Sequence, residues 1–579
     1  MIEGETSSRC QALYKPALST PTPRLRRGFD LARSQHRATG LIGAASSKMS
    51  GKARCPVEDT EQRRKREVLQ SRDFEAQKRA AIEILTSPEL QSICEMALWK
   101  ERDGSDEIFV AANSLGTVRF KRTPEGDRYS YEIVDVKGDN ILERQDPSAF
   151  SPLKEELENL YPDPSKNHYP NAFETISQIF EDENSPDIAA VHTAAHNWED
   201  EGGHRGEHGS LDVVQARAPF IAGGKGIAKL GVIPKSARLV DIAPTILKLL
   251  GAETIKGRTE TGDLFNGVYL RVQDGRPIDE IIEPDAPPKH VVTFLLDGCN
   301  PNVLWDMIEK GEANNIARIA ESGTTFAYGA IAGFPTVTLA NHTAIVTGTY
   351  PGRHSVLHNS FWHRTERKRI DTNHPSTWHL WSNWVSNEVE TIHQALHRCF
   401  PDAFTAAINE PADGGADFST FGLMRKGDFR GLPEFPKELP HASQQFVRPY
   451  KDYEWATLAD HLGVELATSV WKGNFQGTDY PKPSFMWCNF ALTDAAMHRG
   501  GPHSDVARAG VRDTDGRIGE ILAAIEEAGE IDETAFFIFA DHGMEETNPE
   551  VTGNWSTALE KAGINFRDEG YSFIYIGVS

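Results

Sequence analysis

Three apolar segments that each run directly into an aspartate constrain the fold of this chain more than any other feature. They are HVVTFLLDG, SFMWCNFALTD and TAFFIFADHG, which end in Asp297, Asp494 and, close to the end, Asp541. Continuous apolar runs of this kind are typical of parallel strands buried on both faces, and ligands bind at the carboxyl ends of such strands. We therefore expect the three carboxylates at one edge of a sheet, where they repel one another unless cations lie between them.

The segments between these strands predict helices, and the alternation predicts an α/β fold. Residues 303–322 (VLWDMIEKGEANNIARIAES) are predicted to form one helix and residues 505–529 a long amphipathic one. Earlier in the chain, EIFVAANS and TVRFKR predict a hairpin and DIAAVHTAAH predicts a strand. SARLVDIAPTILKLLG predicts a helix that ends at Gly251.

The chain has 579 residues, more than one ordinary core, and its composition divides it into three parts. Residues 1–70 are poor in acids before Glu58 and predict a disordered basic tail, with an organelle transit peptide as the alternative and Met49 as an alternative start. A secretory signal is not expected, because no apolar region follows the first methionine. The link IDEIIEPDAPPK then separates a first half, 71–289, from a second half, 290–579.

The net charge, the apolar runs and the cysteine pattern limit the kinds of partner and compartment that we expect for this chain. The net charge of −23 argues against binding of a nucleic-acid polymer, although bound cations can reverse the sign locally. No run of 18 apolar residues occurs, so neither a membrane-spanning helix nor a membrane partner is expected. The 6 cysteines are scattered without a CxxC pair, which favours reduced thiols in a cytoplasmic compartment over disulfides or a thiolate zinc site.

Two pairs of residues have the spacing of metal ligands. Asp494 and His498 are four residues apart, so on a helix they lie on the same face and can share an ion. Asp541 and His542 are adjacent where a buried strand ends. Each pair alone also has an ordinary explanation, as a surface contact or a turn.

Three single residues likewise have both a functional and an ordinary structural explanation. Asp297 fits a turn or a helix cap as well as a ligand. His208, in EHGSL, fits an ordinary histidine. Thr338 precedes the helical segment ANHTAIVTG, where it either caps the helix or lies at an N-terminus that favours an anionic phosphoryl group.

Taken together and in order, FLLDG, PTVTLANHTAIVTGTYPGRHS, TDAAMHRGGP and FADHGM resemble the alkaline phosphatase superfamily, specifically its nucleotide pyrophosphatase/phosphodiesterase group. The resemblance covers 290–579. It implies an alkaline phosphatase-like sandwich with a central, mostly parallel sheet flanked by helices. It also implies that Thr338 is the nucleophile, passing through a phosphorylated or nucleotidylated intermediate, and that Asn341 helps to hold the phosphoryl oxygens.

The resemblance further implies two divalent metal ions. One ion would be held by Asp297, Asp541, His542 and Thr338, and the other by Asp494, His498 and a third histidine. His and Asp ligands without cysteine suit Zn²⁺, with Mn²⁺ or iron as alternatives. A cation would lower the pKa of the threonine hydroxyl, and the second would stabilise the leaving oxygen.

One departure from the family concerns that third histidine, which in the family follows the DHG motif near the C-terminus. No histidine follows His542 here. The first half, however, contains GHRGEHGSLDVVQARAPFIAGGKGI and RLVDIAPTILKLLG, which resemble the family's C-terminal part. We therefore expect a circular permutation in which His208 is the missing ligand, with His204 as the reserve.

The residues around Thr338 distinguish between the enzyme classes of this superfamily. The C/S-x-P/A-x-R motif of sulfatases is absent, and Ala340 stands where alkaline phosphatases place an arginine two residues after the nucleophile. This favours diesters or pyrophosphates, with a nucleotide among the small phosphate esters expected as substrates. Phosphonoacetate hydrolase-like C–P hydrolysis, phosphomonoesterase activity and a non-catalytic descendant stay open. Phe361 and Trp362 either stack on a nucleobase or pack in the core.

Overall fold

The computed structural model describes residues 60–161, 163–196, 203–374, 376–427 and 441–578. Residues 65–579 form one compact unit. The predicted tail and the alternative transit peptide lie outside the described residues as far as residue 59. The rest of the predicted tail, 60–70, belongs to a helix that begins at Thr60, because Glu, Arg, Lys and Leu, all good helix formers, follow one another there.

The helices of the described residues are α1 (Thr60–Leu85), α2 (Leu153–Glu158), α3 (Ala172–Gln178), α4 (Val213–Ala216), α5 (Ile242–Leu249), α6 (Pro301–Glu309), α7 (Asn314–Glu321), α8 (Thr338–Thr347), α9 (Pro351–His354), α10 (Ile392–Cys399), α11 (Thr420–Arg425), α12 (His441–Lys472), α13 (Leu492–Gly500), α14 (Asp505–Glu527) and α15 (Trp555–Lys561). Among them, none is long and apolar enough to cross a membrane.

The strands before the linker are β1 (Cys94–Asp103), β2 (Asp106–Ala112), β3 (Gly116–Glu125), β4 (Arg128–Gly138), β5 (Ile188–His192), β6 (Gly206–Glu207), β7 (Arg217–Ala218), β8 (Phe220–Gly224), β9 (Gly231–Ile233), β10 (Ala237–Arg238), β11 (Ile255–Arg258) and β12 (Leu264–Val268). Those after it are β13 (His290–Leu296), β14 (Thr324–Phe326), β15 (Ala330–Ile331), β16 (Ser360–His363), β17 (Lys368–Asp371), β18 (Thr405–Ile408), β19 (Phe418–Ser419), β20 (Asn474–Phe475), β21 (Thr478–Asp479), β22 (Phe485–Phe490), β23 (Thr534–Phe539), β24 (Glu545–Glu546), β25 (Phe566–Glu569) and β26 (Phe573–Ile576).

An eight-stranded sheet lies at the centre of the fold, in the order β19-β18-β22-β13-β23-β8-β14-β9. Strands β22, β13 and β23 are adjacent and parallel, and all their residues are buried, as their apolar sequences predict. Helices α5, α6, α7 and α14 pack side chains into the same core. The prediction of an α/β fold with a central, mostly parallel sheet is confirmed.

A second, seven-stranded antiparallel sheet has the order β25-β26-β5-β1-β2-β3-β4 and includes the predicted hairpin of β2 and β3. Its strands β25 and β26 come from the end of the chain and the other five from before the linker. The central sheet likewise contains strands from both sides of the linker, because β8 and β9 precede the linker and its other strands follow it. Each large sheet therefore contains strands from both sides of residues 278–289.

The single helix predicted for residues 303–322 is wrong, since the segment forms α6 and α7. The break falls at Gly311, whose φ of 70° lies in the left-handed region that only glycine adopts without strain. The apolar periodicity continues across this turn because both short helices bury the same side against the core. Periodicity alone therefore concealed the interruption.

His503 joins segments from the two sides of the linker. Its Nε2 lies 3.2 Å from Glu156 Oε2, and its Nδ1 lies 3.3 Å from Glu546 Oε2. Burial lowers the pKa of His503, but the hydrogen bonds and charges of these two glutamates outweigh that effect and raise the pKa to about 9. The protonated ring is therefore stabilised in the folded protein.

We expect His503→Gln to lower the free energy of unfolding by about 1–3 kcal/mol at neutral pH, because charged hydrogen bonds are lost. The folded-state pKa exceeds the ordinary value of 6.5, so this contribution is complete below pH 6.5 and is lost as the pH rises through about 9. Urea denaturation should show the difference between wild type and variant shrinking from neutral pH to about pH 10. A difference that stays constant over that range would contradict the assignment.

Candidate active site

The three predicted aspartates meet at one edge of the central sheet. Asp297 directly follows β13, Asp541 follows β23, and Asp494 lies in the first turn of α13, just after β22. Gly298 has a φ of 61°, and a Cβ at this position would lie 2.5 Å from Asp494 Oδ1. The glycine of LLDG is therefore required for the close approach of Asp494 to Asp297.

Asp297, Asp541 and His542 form what we call the first cluster. The Nε2 of His542 lies 3.1 Å from Asp541 Oδ2 and 3.9 Å from Asp297 Oδ1. A further histidine, His342 of α8, lies with its Nε2 3.5 Å from Asp541 Oδ2. His342 was not singled out in the sequence; its only signal is a position one helical turn after Thr338.

Asp494, His498 and His208 form what we call the second cluster. Asp494 Oδ1 lies 3.3 Å from His498 Nε2 and 3.8 Å from His208 Nε2. The imidazole rings of His208 and His542 are 3.7 Å apart between centroids, so the two clusters adjoin. His204, the reserve candidate, instead has its Nδ1 2.6 Å from Glu207 Oε1.

Backbone carbonyls orient the two histidines of the second cluster. His208 Nδ1 lies 2.8 Å from the Thr336 carbonyl oxygen, and His498 Nδ1 lies 2.7 Å from that of Gly206. Because a carbonyl oxygen only accepts, both Nδ1 atoms carry the proton and both Nε2 atoms have a free lone pair in the neutral ring. These lone pairs face the carboxylate of Asp494, as a shared metal ion requires.

The electrostatics of both clusters favour a bound cation. Burial and the carboxylates of Asp541 and Asp494 raise the pKa of Asp297 well above its ordinary value. Against the effect of burial, His542 and His342 hold the pKa of Asp541 well below its ordinary value. Burial, with His542 and His498 close by, holds the pKa of His208 well below its ordinary value, so its ring is neutral.

The unpaired atoms of the site fit divalent cations. Asp297 Oδ1, Asp494 Oδ1, Asp541 Oδ2 and His542 Nε2 are buried and have no hydrogen-bond partner among the described residues. Buried polar atoms are costly to leave unpaired. Here Asp297, Asp494 and His542, and likewise Asp297, His342 and Asp541, offer ligand atoms that lie within 4.8 Å of one another. Carboxylate oxygens and imidazole nitrogens without thiolates suit Zn²⁺ and similar ions.

Thr338 is the first residue of α8, with Val337 as the helix cap. Its position at a helix N-terminus agrees with the expected placement of a phosphoryl group near free backbone N–H groups. The sequence left open whether Thr338 caps the helix; in the structure the capping residue is its neighbour Val337. Thr338 itself is buried, with 7% of its surface exposed.

The expected role of Asn341 needs correction. Its Oδ1 accepts a hydrogen bond from the Gly333 N–H at 2.9 Å, and its Nδ2 donates to the carbonyls of Pro335 and Val337 at 3.0 and 3.2 Å. The side chain is fully buried and fastens the loop that leads into α8. Because its amide hydrogens are donated to the backbone, the geometry does not support the expected role of Asn341 in holding phosphoryl oxygens.

Asn359 is better placed for that task and was missed. Its Oδ1 accepts a hydrogen bond from the backbone N–H of Leu339 at 3.2 Å, which brings the amide to the N-terminus of α8 beside Thr338. The side chain is half-buried, unlike that of Asn341. Its immediate sequence gives no signal, because His358 and Ser360 on either side of it are polar as well.

Phe361 and Trp362 belong to the core. They are 2% and 5% exposed and pack against buried side chains of the seven-stranded sheet. The Arg567 guanidinium lies 4.1 Å from the centroid of the Trp362 ring. Of the two interpretations, core packing holds for both residues, and neither offers a face to a nucleobase.

Residues 291–579 match the family model described as type I phosphodiesterase / nucleotide pyrophosphatase. An uncharacterized pyrophosphatase/phosphodiesterase of Schizosaccharomyces pombe is 24% identical over 269 residues, which are 45% of each chain. Ectonucleotide pyrophosphatase/phosphodiesterase family member 3 of Mus musculus is 24% identical over 275 residues, 46% of this chain and 26% of that protein. The chain thus spans less than half the length of these curated relatives.

Two solved structures are also similar. Murine ectonucleotide pyrophosphatase/phosphodiesterase 5, an inactive form in complex with AMP, is 16% identical with a TM-score of 0.33, covering 48% of this chain and 63% of that one. Phosphonoacetate hydrolase from Sinorhizobium meliloti in complex with phosphonoformate is 18% identical with a TM-score of 0.29, covering 50% and 60%.

Proposed function

We propose that this chain, which belongs to the type I phosphodiesterase/nucleotide pyrophosphatase family of the alkaline phosphatase superfamily, hydrolyses phosphodiester or nucleotide pyrophosphate bonds. The observation that carries the proposal is the convergence of aspartates and histidines at the helix that begins with Thr338. His208 contacts the carbonyl of Thr336, two residues before Thr338, and His342, one turn after it, lies 3.5 Å from Asp541. Such a site combines a hydroxyl nucleophile with places for two cations, and two cations can stabilise both the attacking and the leaving oxygen of a phosphoryl displacement.

We assign one divalent ion to each cluster. Asp297, Asp541, His542 and Thr338 would hold the first, and Asp494, His498 and His208 the second. The donor types favour Zn²⁺, with Mn²⁺ or iron as alternatives. When bound, the ions supply positive charge that lowers the pKa of a hydroxyl nucleophile and offsets the charge of the leaving oxygen.

The residues of the chain then act in two steps. The Thr338 oxygen forms a bond to phosphorus, the bond from phosphorus to the leaving oxygen breaks, and the hydroxyl proton passes to solvent. Water next attacks the phosphorylated threonine and releases the second product, restoring the hydroxyl. Throughout, the backbone N–H groups at the start of α8 and the amide of Asn359 donate to the phosphoryl oxygens.

We further propose that the chain is a circular permutation of the family fold, with His208 as the ligand that relatives carry after the DHG motif. Two observations support this. Both large sheets contain strands from each side of the linker, and His208 Nε2 lies 3.8 Å from Asp494 Oδ1. On this view residues 71–289 and 290–579 are halves of one hydrolase fold. The free thiols of the described cysteines fit a cytoplasmic location.

Substrate preference tests the proposed activity. Ala340 has no charge to grip the second negative charge of a monoester, so kcat/KM for bis-p-nitrophenyl phosphate should exceed that for p-nitrophenyl phosphate by roughly tenfold or more, the value of one charged contact. Parallel assays on a dinucleotide and on phosphonoacetate complete the comparison. A preference for the monoester, or efficient release of phosphate from phosphonoacetate, would contradict the proposal.

A further inference from the structure

We propose that Thr336 is a positioning residue that fastens the segment carrying His208 to the start of α8. It thereby holds a ligand of the second cluster at a fixed separation from the Thr338 hydroxyl. The inference deepens the proposed function and rests on it, because the roles of His208 and Thr338 are assigned there. Thr336 lies two residues before Thr338 in the motif PTVT, and its side chain has no role in the sequence patterns above.

Three hydrogen bonds join Thr336 to three consecutive residues of the first half. His208 Nδ1 donates to the Thr336 carbonyl oxygen at 2.8 Å. The Gly209 N–H donates to Thr336 Oγ1 at 2.9 Å, and this hydroxyl in turn donates to the Ser210 carbonyl oxygen at 2.8 Å. Each contact has one hydrogen and one acceptor, so all three form at the same time.

The side chain of Thr336 acts through the backbone of residues 208–210. Its hydroxyl gives its only hydrogen to the Ser210 carbonyl and accepts the Gly209 N–H, and the residue is 1% exposed. Both hydrogen bonds of the side chain in the described residues are therefore with backbone atoms beside His208. This places Thr336 among the residues that position a ligand, not among those that touch substrate.

The connection from Thr336 to the nucleophile is short and stiff. Two residues of chain span at most about 7 Å, so fixing Thr336 also restricts the position of Thr338. The Val337 N–H donates to the Pro335 carbonyl oxygen at 2.9 Å, and the Asn341 amide donates to the carbonyls of both residues. Thr336 and the start of α8 are therefore held as one unit.

No short stretch of chain can hold His208 and Thr338 together, because His208 and Thr336 are 128 positions apart. In the described residues, the hydrogen bonds that join residues 208–210 to residues 333–338 are the three made by Thr336, and its hydroxyl makes two of them. Loss of the hydroxyl should therefore loosen the placement of the ligand relative to the nucleophile. A misplacement of 1 Å can lower a reaction rate by about 100-fold.

The test compares the full chain with Thr336→Val, Thr336→Ser and the control Thr245→Val. Valine has the shape of threonine without its hydroxyl, and serine keeps the hydroxyl. Thr245 is a matched control, because its hydroxyl also accepts a backbone N–H, from Ile278 at 2.9 Å, and donates to a backbone carbonyl, that of Asp241 at 2.6 Å. Thr245 is fully buried and lies in α5, outside both clusters.

Two properties are measured on each protein. Metal-free protein is titrated with Zn²⁺ against a chromophoric chelator, and kcat and KM are determined for bis-p-nitrophenyl phosphate with zinc-loaded protein. We expect Thr336→Val to weaken one of two zinc equivalents by about 10-fold or more and to lower kcat by about 10–100-fold, with a smaller change in KM. Thr336→Ser should restore most of both properties. Thr245→Val should lose thermal stability and keep both zinc affinities and kcat.

Wild-type zinc affinity and kcat in a folded Thr336→Val variant would overturn the proposal. Equal losses in Thr245→Val would do the same, because they would then be general effects of lower stability. A Thr336→Ser variant as impaired as Thr336→Val would show that the hydroxyl is not the group that matters. If Thr336→Val does not fold, Thr336→Ala, which removes atoms instead of exchanging a hydroxyl for a methyl group, carries the test.

Hydrogen exchange on metal-free protein separates this proposal from the proposed function. Because the Gly209 N–H donates to Thr336 Oγ1, residues 206–212 should exchange faster in Thr336→Val than in the wild type and at the wild-type rate in Thr245→Val. Unchanged exchange in Thr336→Val would overturn the positioning role. A wild type that binds two zinc ions without cleaving diesters would overturn the proposed function, while exchange and zinc binding still decide the role of Thr336.

Discussion

Replacement of Thr338 by alanine is expected to lower kcat for diester hydrolysis by about 10⁴-fold or more, the loss typical of removing a nucleophile. The reason is that the hydroxyl which forms the bond to phosphorus disappears, while the helix N-terminus and both clusters remain. Val337, not Thr338, caps α8, so the helix should form normally. Zinc binding should change little, because carboxylate and imidazole ligands remain at the first cluster.

Two variants control this experiment. Thr338→Ser retains a hydroxyl and should keep partial activity. Thr347→Ala removes a hydroxyl from the other end of α8, where it donates to the Thr343 carbonyl, and should leave kcat near that of the wild type. Turnover by a well-folded Thr338→Ala variant at close to the wild-type rate would show that another group attacks phosphorus.

Replacement of His208 by alanine is expected to have the second largest effect. It removes the only imidazole of the first half whose Nε2 approaches Asp494 in the described residues, at 3.8 Å. One of two zinc equivalents should be lost or weakened by about 100-fold or more, and hydrolysis should fall by several orders of magnitude. The equivalent held by Asp297, Asp541 and His542 should remain.

His204→Ala provides the comparison, because His204 is the reserve candidate and contacts Glu207 instead. Metal content is measured for both variants by mass spectrometry after removal of loosely bound ions. We expect a full second equivalent in His204→Ala and a missing one in His208→Ala. The reverse pattern would show that His204, not His208, is the ligand. Two full equivalents of metal in both variants would show that neither histidine of the first half binds the ion.

The sheet edge and most of the site could be predicted from the sequence, for a physical reason. Buried parallel strands must be apolar throughout, so the first acid after each run marks its carboxyl end. This placed Asp297, Asp494 and Asp541 together correctly. The four-residue spacing of Asp494 and His498 also requires only the geometry of one helix, which α13 provides.

Residues whose role depends on a loop or a distant segment could not be predicted in this way. Asn341 has the spacing of a substrate-binding amide, but the fold of residues 333–337 places three backbone groups around it. Glu410 and His342 are 68 positions apart in the chain, and only the fold brings Glu410 Oε2 within 2.8 Å of His342 Nδ1. Likewise, nothing local in VLHNS indicates that Asn359 reaches the start of α8.

We propose that ligands from both sides of the linker hold two metal ions at the helix that begins with Thr338. Anomalous diffraction at the zinc edge from crystals of the zinc-loaded chain tests this arrangement most directly. We predict two peaks, one touched by Asp297, Asp541 and His542, and one touched by Asp494, His498 and His208. A single peak, or a second peak that His208 does not contact, would contradict the claim.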